Sequence, residues 1–206
     1  FKCSIDNKAY AACTSPKTYT NLASGSHKIL IAAYDEAGNS DATPATYSWV
    51  IPQERLKNGG LNTYAGASKI PTSWIAANFT VKDGKDTTTK KEGLASIKIT
   101  GAPGKTKTLT QTINLSGTPG QLFLLSFWVK GTGIPTAGIC QGQILLYSGN
   151  TLRATKTVNC ANGTYATFQK KSVGLMSSTT YTKVVIVFTY SKPSGTVWFD
   201  AISLLR

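Results

Sequence analysis

The chain has 206 residues, a formal net charge of +13 at pH 7 and only 15% charged residues. This length allows one large domain or two modest ones, each with a core of its own. No apolar run approaches the roughly 18 residues that a membrane-spanning helix needs, and the many Thr, Ser, Gly and Ala residues favour a secreted all-β protein over a cytosolic enzyme. With no signal peptide and no initiator methionine, the chain is expected to be mature or truncated.

The positive charge is concentrated after residue 51. Residues 1–51 carry four lysines and four carboxylates, whereas the rest of the chain carries 18 Lys and Arg against five Asp and Glu. Such a basic domain attracts acidic partners, for example anionic cell-surface glycans, nucleic acid or an acidic neighbouring subunit. Because the lysines are spread over several predicted strands, a solvated surface that aids solubility also explains them.

The first clear strand lies at residues 27–34 and is apolar on both faces. In a sheet that covers a single core, the second face is polar and meets water. Here that face carries Leu30, Ala32 and Tyr34, so we expect another domain or a neighbouring subunit to cover it. His27 begins the strand and has no second ligand or catalytic partner beside it, so its expected role is structural.

A series of positions within residues 1–51 follows one motif. The matching residues are Phe1, Cys3, Ser4, Asp6, Tyr10, Cys13, Thr14, Ser15, Pro16, Tyr19, Leu22, Gly25, Ser26, His27, Asp35, Ala37, Gly38, Asn39, Thr43, Pro44, Ala45, Thr46, Tyr47 and Trp49. This series resembles the second half of a bacterial extracellular immunoglobulin-like repeat. Because such a domain needs two sheets and roughly 80–100 residues, the resemblance implies an incomplete sandwich whose early strands are missing or donated by another source.

Four cysteines form two close pairs that each bracket a predicted hairpin. A turn lies between Cys3 and Cys13, and Asn150 lies midway between Cys140 and Cys160. Residues placed symmetrically about a hairpin turn face each other on neighbouring strands, so we expect disulfides 3–13 and 140–160 among the three connectivities. The spacing does not suit zinc. Disulfides predict an oxidising, extracellular setting.

The second part of the chain has the pattern of antiparallel strands. Residues 52–55 are a short linker, because Pro52 ends the preceding strand. Apolar and polar residues then alternate at 95–100, 108–115 and 122–130, and turns rich in Gly and Pro separate these runs. No 3.6-residue periodicity is sustained anywhere. The residues alone therefore predict an all-β sandwich.

Landmark motifs follow one another along residues 56–206. They are LKNGGL at 56–61, Trp74, EGLASI at 92–97, QTI at 111–113, SFWVKG at 126–131 and FDAISL at 199–204. This order resembles the bacterial jelly-roll carbohydrate-binding modules of the xylan- and glucan-binding type, within the galactose-binding-like superfamily. The expected architecture is a partial immunoglobulin-like sandwich at 1–51, a linker at 52–55 and a jelly roll at 56–206.

Sugar recognition uses aromatic rings that stack on the apolar faces of pyranoses. The candidates are Trp74, Trp128, Trp198 and Tyr147, and each of them could instead pack in a core or an interface. Along 122–130, Trp128 shares its face with Leu122 and Leu124. Those two leucines are better suited to packing. They are interface candidates, together with Leu30, Ala32 and Tyr34.

Metal binding and catalysis have few side chains available. The jelly-roll resemblance implies one structural calcium ion, held here by Asn62, Glu92 and Asp200, although the neutral Asn62 weakens the set. No other cofactor is expected. A glycosidase needs two carboxylates across a cleft, and the five in the second part do not suggest such a pair. We expect no catalytic residues and no enzyme activity.

Two functions remain. The first is a non-catalytic bacterial cell-surface protein whose half-sandwich is completed by upstream sequence, or by another copy in a filament or array. The second is a carbohydrate-binding module with an immunoglobulin-like spacer, from a larger glycoside hydrolase or adhesin, whose partner is a polysaccharide. Nucleic acid is not expected, because disulfides and dispersed lysines argue against it.

Overall fold

The computed structural model describes residues 1–206 as an all-β protein with fourteen strands and no helix. None of its elements could therefore cross a membrane as a long apolar helix. The chain divides into two compact units, Phe1–Gln53 and Glu54–Arg206. Both predicted disulfides are present, Cys3–Cys13 in the first unit and Cys140–Cys160 in the second.

The first unit is one antiparallel sheet with the strand order β2-β1-β3-β4. Its strands are β1 (Lys2–Ile5), β2 (Ala11–Ala12), β3 (Gly25–Ala32) and β4 (Ala45–Ile51). The alternation predicted from residue 27 onward is observed, with Ile29 opposite Ile5 on β1 and Tyr47 on β4. His27 stands on the same face, beside Trp49 at a ring distance of 5.6 Å.

Exposed apolar side chains lie on both faces of this sheet. Ala32 is only 1% exposed, and the ammonium group of Lys2 lies 4.1 Å from the ring centroid of Tyr34. Leu30 is half-buried. Lys2 therefore covers part of Tyr34, and a partner on the rest of this face stays a prediction. Val50 is exposed on the same face as Leu30, and Ile31 and Tyr47 are exposed on the opposite face.

The second unit is a sandwich of two five-stranded antiparallel sheets. One sheet has the order β11-β10-β13-β8-β5 and is called the β10 sheet; the other has the order β12-β9-β14-β7-β6 and is called the β9 sheet. The strands are β5 (Ile75–Ala77), β6 (Gly84–Asp86), β7 (Ser96–Thr100), β8 (Lys107–Ile113), β9 (Leu122–Ile134), β10 (Cys140–Ser148), β11 (Thr151–Asn159), β12 (Gly163–Met176), β13 (Lys183–Tyr190) and β14 (Thr196–Leu205).

Alternation along each strand divides the side chains between the core and the outer faces. Three phenylalanines join the sheets: the ring of Phe188 on β13 lies 4.9 Å from Phe127 on β9 and 4.7 Å from Phe199 on β14. Gly142 on β10 faces these rings, and a Cβ atom there would stand 2.7 Å from Phe127. The interior therefore excludes any side chain at that position.

The Asn58-Gly59-Gly60 motif meets the last strand directly. The amide of Ile202 donates a hydrogen bond to the Gly59 carbonyl at 2.9 Å. A Cβ atom on Gly59 would lie 2.0 Å from the Ile202 carbonyl oxygen. Close backbone approach thus explains why glycine stands at this position. It also brings the start of the second unit to the strand that carries Trp198 and Asp200.

Candidate glycan-binding surfaces

Trp74 is part of the core and cannot bind a sugar. It is only 5% exposed, its ring packs 6.2 Å from that of Phe188, and its indole nitrogen donates a hydrogen bond to the Asn58 carbonyl. The expectation of a glycan platform at Trp74 is therefore wrong, because neither ring face is accessible. A single tryptophan in a loop gives no periodicity from which its burial could be predicted.

Trp128 and Trp198 come together on the outer face of the β9 sheet. Trp198 of β14 lies opposite Lys130 of β9, and Trp128 lies opposite Asp200 of β14, so the two tryptophans are diagonal neighbours on adjacent strands. Both are half-buried. The ammonium group of Lys91 lies 4.1 Å from the Trp128 ring centroid. A pyranose could stack on that ring only after displacing the lysine.

The carboxylate of Asp86 fixes the start of the loop beside the tryptophans. The Asp86 carboxylate accepts hydrogen bonds from the amides of Thr88 and Thr89 and from the indole nitrogen of Trp198, the last at 2.8 Å. Burial alone raises the pKa of Asp86, but these bonds lower it below the ordinary value. The loop that carries Lys90 and Lys91 is therefore held by an ionised carboxylate at its start.

Two of the three residues expected to hold calcium, Asn62 and Asp200, already accept hydrogen bonds from backbone amides, and the third, Glu92, is exposed. Asp200 is fully buried and accepts hydrogen bonds from the amides of Lys91, Glu92 and Ala201. Asn62 accepts one from the amide of Leu94 through its side-chain oxygen. Burial raises the pKa of Asp200, and these amides partly offset that rise.

This arrangement does not fit a calcium ion. Calcium takes six to eight oxygen ligands, whereas the oxygens of Asp200 and Asn62 already accept hydrogen bonds from N–H donors. Nor does the chain contain a group of three or more His, Cys, Asp or Glu residues that could hold a metal ion. The backbone amides of residues 91, 92 and 94 thus bond to side-chain oxygens that the family resemblance assigns to the ion.

Tyr147 lies on the outer face of the other sheet, among side chains of a different character. The outward residues of β5, β8, β10 and β13 form what we call the amide–hydroxyl face. They are Ile75, Ala77, Thr108, Thr110, Thr112, Gln141, Gln143, Leu145, Tyr147, Lys183, Val185, Val187 and Thr189.

The register aligns these residues in rows across the sheet. Gln143 of β10 lies opposite Val187 of β13, which lies opposite Thr110 of β8. The side-chain amide of Gln143 also donates a hydrogen bond of 3.0 Å to the Thr157 hydroxyl on β11. Amides, hydroxyls and short apolar side chains thus alternate over a surface four strands wide.

Charge is nearly absent from the amide–hydroxyl face. Lys183 is its only charged residue, and its ammonium group lies 4.9 Å from the ring centroid of Tyr147. The remaining 17 Lys and Arg of the second part lie elsewhere. Its glutamines and threonines were not predicted as site residues. The signal was present in the alternation of 108–112, which was interpreted only as strand periodicity, and in Gln141 and Gln143, from which no prediction was made.

The interface candidates Leu122 and Leu124 lie at one end of the β9 sheet's outer face. Each is 44% exposed, and Met176 of β12 stands opposite Leu122. Three serines, Ser126, Ser172 and Ser203, cross the same sheet next to them and separate this apolar end from the tryptophans. The face therefore changes from apolar to hydroxyl-bearing to basic along its length.

Comparison with known proteins identifies the fold. No family model matches the sequence, and no curated protein is similar to it. Among solved structures, the enzymatically active domain of tailspike protein 4 from bacteriophage CBA120 has a TM-score of 0.58 and 19% identity; the match covers 74% of this chain and 21% of that one. This chain thus spans about a fifth of the tailspike structure.

Two carbohydrate-binding modules match over nearly their whole length. TmCBM61, solved in complex with β-1,4-galactotriose, has a TM-score of 0.50 and 14% identity over 75% of this chain and 99% of its own. A family 16 carbohydrate-binding module has a TM-score of 0.51 and 14% identity over 68% and 98%. At these identities the likeness is one of fold, and it does not confirm the immunoglobulin-like resemblance of residues 1–51. The chain thus has the jelly-roll β-sandwich fold of carbohydrate-binding modules.

Proposed function

We propose that this protein is a non-catalytic carbohydrate-binding module that binds a neutral polysaccharide across the amide–hydroxyl face. The observation that carries the proposal is the near absence of charge on this face, in a part of the chain that holds 18 Lys and Arg. A neutral ligand that covers charged side chains removes their water and offers no opposite charge in return, which costs free energy. A surface suited to a neutral ligand is therefore itself nearly uncharged.

The side chains of this face suit sugar chemistry. Glutamine amides both donate and accept, and threonine hydroxyls do the same, so they match the hydroxyl groups of a pyranose in either orientation. Leu145 and Val185 lie opposite each other, Val187 lies between Gln143 and Thr110, and all three offer apolar contact to sugar C–H groups. Tyr147 adds one aromatic ring. The fold shared with carbohydrate-binding modules, one of which was solved with a galactotriose, supports the same proposal.

Binding to immobilised neutral polysaccharides tests the proposal. Affinity electrophoresis should be run through gels containing β-1,4-galactan, xylan, β-glucan or no polysaccharide. We expect retardation in at least one polysaccharide gel, weakened about tenfold by Gln143→Ala or Tyr147→Ala, since each removes a contact of about 1.4 kcal/mol. Gln169→Ala, a glutamine of β12 in the other sheet, is the matched control. Equal mobility in every gel would refute the proposal, as would equal effects of Gln143→Ala and Gln169→Ala.

A second function is favoured by the exposed apolar side chains of the first unit. Ile31 and Tyr47 stand on one face of its single sheet, beside Phe1, which is the most exposed of them. Sheet faces of this kind are usually covered. We propose that further copies or upstream domains of an extracellular, cell-surface assembly cover this face. Native mass measurement of the chain tests covering by further copies: higher oligomers are expected in that case, and a monomer at high concentration would contradict it.

A further inference from the structure

The outer face of the β9 sheet carries a cluster of lysines around its two tryptophans. We call Lys91, Lys98, Trp128, Lys130, Lys170 and Trp198 the lysine–tryptophan face. Trp198 stands between Lys98 of β7 and Lys130 of β9 in one row, and Trp128 stands beside Lys170 of β12 in the next. Neighbouring strands are about 4.8 Å apart. Like charges are thus brought close together on a rigid sheet.

The ammonium groups of these lysines form no ion pair, but the Asp86 carboxylate lies close enough to Lys98 for Coulomb attraction to lower the pKa of Asp86. The chain has two ion pairs, His27 with Asp6 and Lys107 with Asp83, and neither includes a lysine of this face. The nearby carboxylates of Asp86 and Asp200 accept hydrogen bonds from backbone amides instead. Glu92 is the one exposed carboxylate of the adjoining loop. Asp86 and Glu92 therefore offset only part of the positive charge of this face.

A cavity of about 360 Å³ lies at the edge of this face. It is lined by Thr88, Thr89, Lys90, Lys91, Lys130 and Phe168, among others. The lysines and threonines of its wall offer ammonium and hydroxyl donors, whereas none of its lining residues is acidic. The loop that supplies them is fixed by Asp86, and the Ser96 hydroxyl donates a hydrogen bond to the Thr89 carbonyl. The donors are thus positioned before any ligand arrives.

The Trp128 ring positions the ammonium group of Lys91, so the ring face under that lysine is not a free stacking surface. The ammonium group of Lys91 lies over Trp128 at 4.1 Å, an arrangement that holds a cation without neutralising it. Trp198 is tied to Asp86 through its indole nitrogen. The Trp128 face under Lys91 is not free to stack on a nucleobase, as recognition of single-stranded nucleic acid requires, and the bond to Asp86 fixes the orientation of the Trp198 ring. The hydroxyls of Ser126 and Ser172 continue the surface beyond the lysines.

We propose that the lysine–tryptophan face and its cavity form a second binding site, for an anionic polysaccharide that carries carboxylate or sulfate groups. Ammonium groups bind either anion as point charges, while the threonine and serine hydroxyls bind the sugar hydroxyls. The site lies on the opposite sheet from the amide–hydroxyl face. Failure of neutral-glycan binding therefore would not exclude binding of an anionic polysaccharide at this site.

Binding of charged polymers at physiological salt tests the site. Affinity electrophoresis in about 0.15 M NaCl should compare polygalacturonate, chondroitin sulfate, β-1,4-galactan and single-stranded DNA. We expect retention by polygalacturonate, chondroitin sulfate or both, weakened about tenfold or more by Lys91→Gln/Lys130→Gln because two charge-assisted contacts are lost. Which polymer is retained identifies the anionic group. Lys98→Gln/Lys170→Gln is a second pair with the same expected direction.

The control removes the same charge elsewhere. Lys105→Gln/Lys156→Gln replaces two exposed lysines outside this face and should change the affinity less than about twofold. Equal weakening by all three pairs would mean that net charge alone binds the polymer, and the site would be refuted. Tighter binding of DNA than of either polysaccharide, or no retention by an anionic polysaccharide, would also overturn it. Gln143→Ala should leave anionic binding unchanged even if neutral-glycan binding is lost.

Discussion

Lys107 and Asp83 form an ion pair in the interior of the second unit. The Lys107 ammonium lies 2.7 Å from a carboxylate oxygen of Asp83, and the two side chains are 2% and 0% exposed. The ammonium also donates to the Thr100 carbonyl, and the carboxylate accepts hydrogen bonds from the amides of Thr80 and Thr100. Because Lys107 begins β8 and Asp83 directly precedes β6, the pair connects the two sheets at one end of the sandwich.

Loss of the lysine should destabilise the sandwich strongly. Lys107→Met leaves a buried carboxylate without its cation, and we expect a decrease in the free energy of unfolding of about 3–5 kcal/mol, measured by chemical denaturation. Lys105→Met, at an exposed position two residues earlier, should change it by less than about 0.5 kcal/mol. A decrease below about 1 kcal/mol for Lys107→Met would contradict this account of the pair.

The same pair predicts sensitivity to acid. Burial raises the pKa of Asp83, but the hydrogen bonds from Lys107, Thr100 and Thr80 outweigh it and lower the pKa below its ordinary value. A carboxyl whose folded pKa is lowered contributes stability that is complete above its unfolded pKa of about 3.9 and is lost as the pH falls through the folded value. The free energy of unfolding of the wild-type protein, measured by chemical denaturation, should therefore fall as the pH falls through that acidic window. Lys107→Met should lose this part of the pH dependence.

His27 is placed where both ring nitrogens face acceptors. One nitrogen lies 2.8 Å from the Asp6 carboxylate and the other 2.7 Å from the Ala23 carbonyl. A neutral imidazole has one donor and one acceptor, so only the protonated ring satisfies both contacts. The hydrogen bond to Asp6, followed by that to Ala23, raises the pKa of His27 above 6.5. The structural role expected for His27 thus includes a hydrogen bond from the protonated ring to the Asp6 carboxylate.

Titration of this single histidine by proton NMR measures the effect directly. Asp6→Asn should lower the pKa of His27 towards its ordinary value, whereas Asp35→Asn, in a separate turn, should leave it unchanged. Since the folded pKa is raised, the contribution of the pair to stability is fully present below about pH 6.5 and is lost as the pH rises through the folded value. A pKa in wild-type protein at or below the ordinary value would show that the pair does not form.

The amides around Asp200 predict stability that is independent of calcium. Asp200→Ala removes the acceptor for three backbone amides, so the free energy of unfolding should fall by about 2 kcal/mol or more. Thermal denaturation of wild-type protein should give the same Tm in millimolar calcium and in EDTA. A Tm that rises by several degrees with calcium in the wild type, but not in Asp200→Ala, would show instead that Asp200 binds a calcium ion.

The local parts of the fold were predictable from sequence. Alternation placed Leu122, Leu124 and Trp128 on one face of β9, and they lie there. The symmetric spacing of Cys140 and Cys160 about Asn150 matched the β10–β11 hairpin and its disulfide. Both signals depend on residues that are close in the chain, where period and turn geometry determine which side chains meet.

Contacts between distant segments could not be predicted in this way. Trp74 is covered by β13, more than a hundred residues later, and Asp200 is covered by the loop at 91–92. No local period records which strand lies opposite such residues. The placement of Tyr147 and the tryptophans on opposite sheets likewise depends on strand order. For this reason the sequence suggested one group of four aromatic candidates. In the structure Trp74 lies in the core, whereas Tyr147 and the two remaining tryptophans lie on the outer faces of opposite sheets.

The position of a bound neutral sugar tests the central claim most directly. Amide chemical shifts of labelled protein should be followed by NMR during titration with β-1,4-galactan and β-1,4-xylan oligosaccharides. We predict that the largest changes with at least one of them fall on β8, β10 and β13, and that they include the side-chain amide of Gln143. Changes confined to the β9 sheet, or no change with either oligosaccharide at millimolar concentration, would contradict binding at the amide–hydroxyl face.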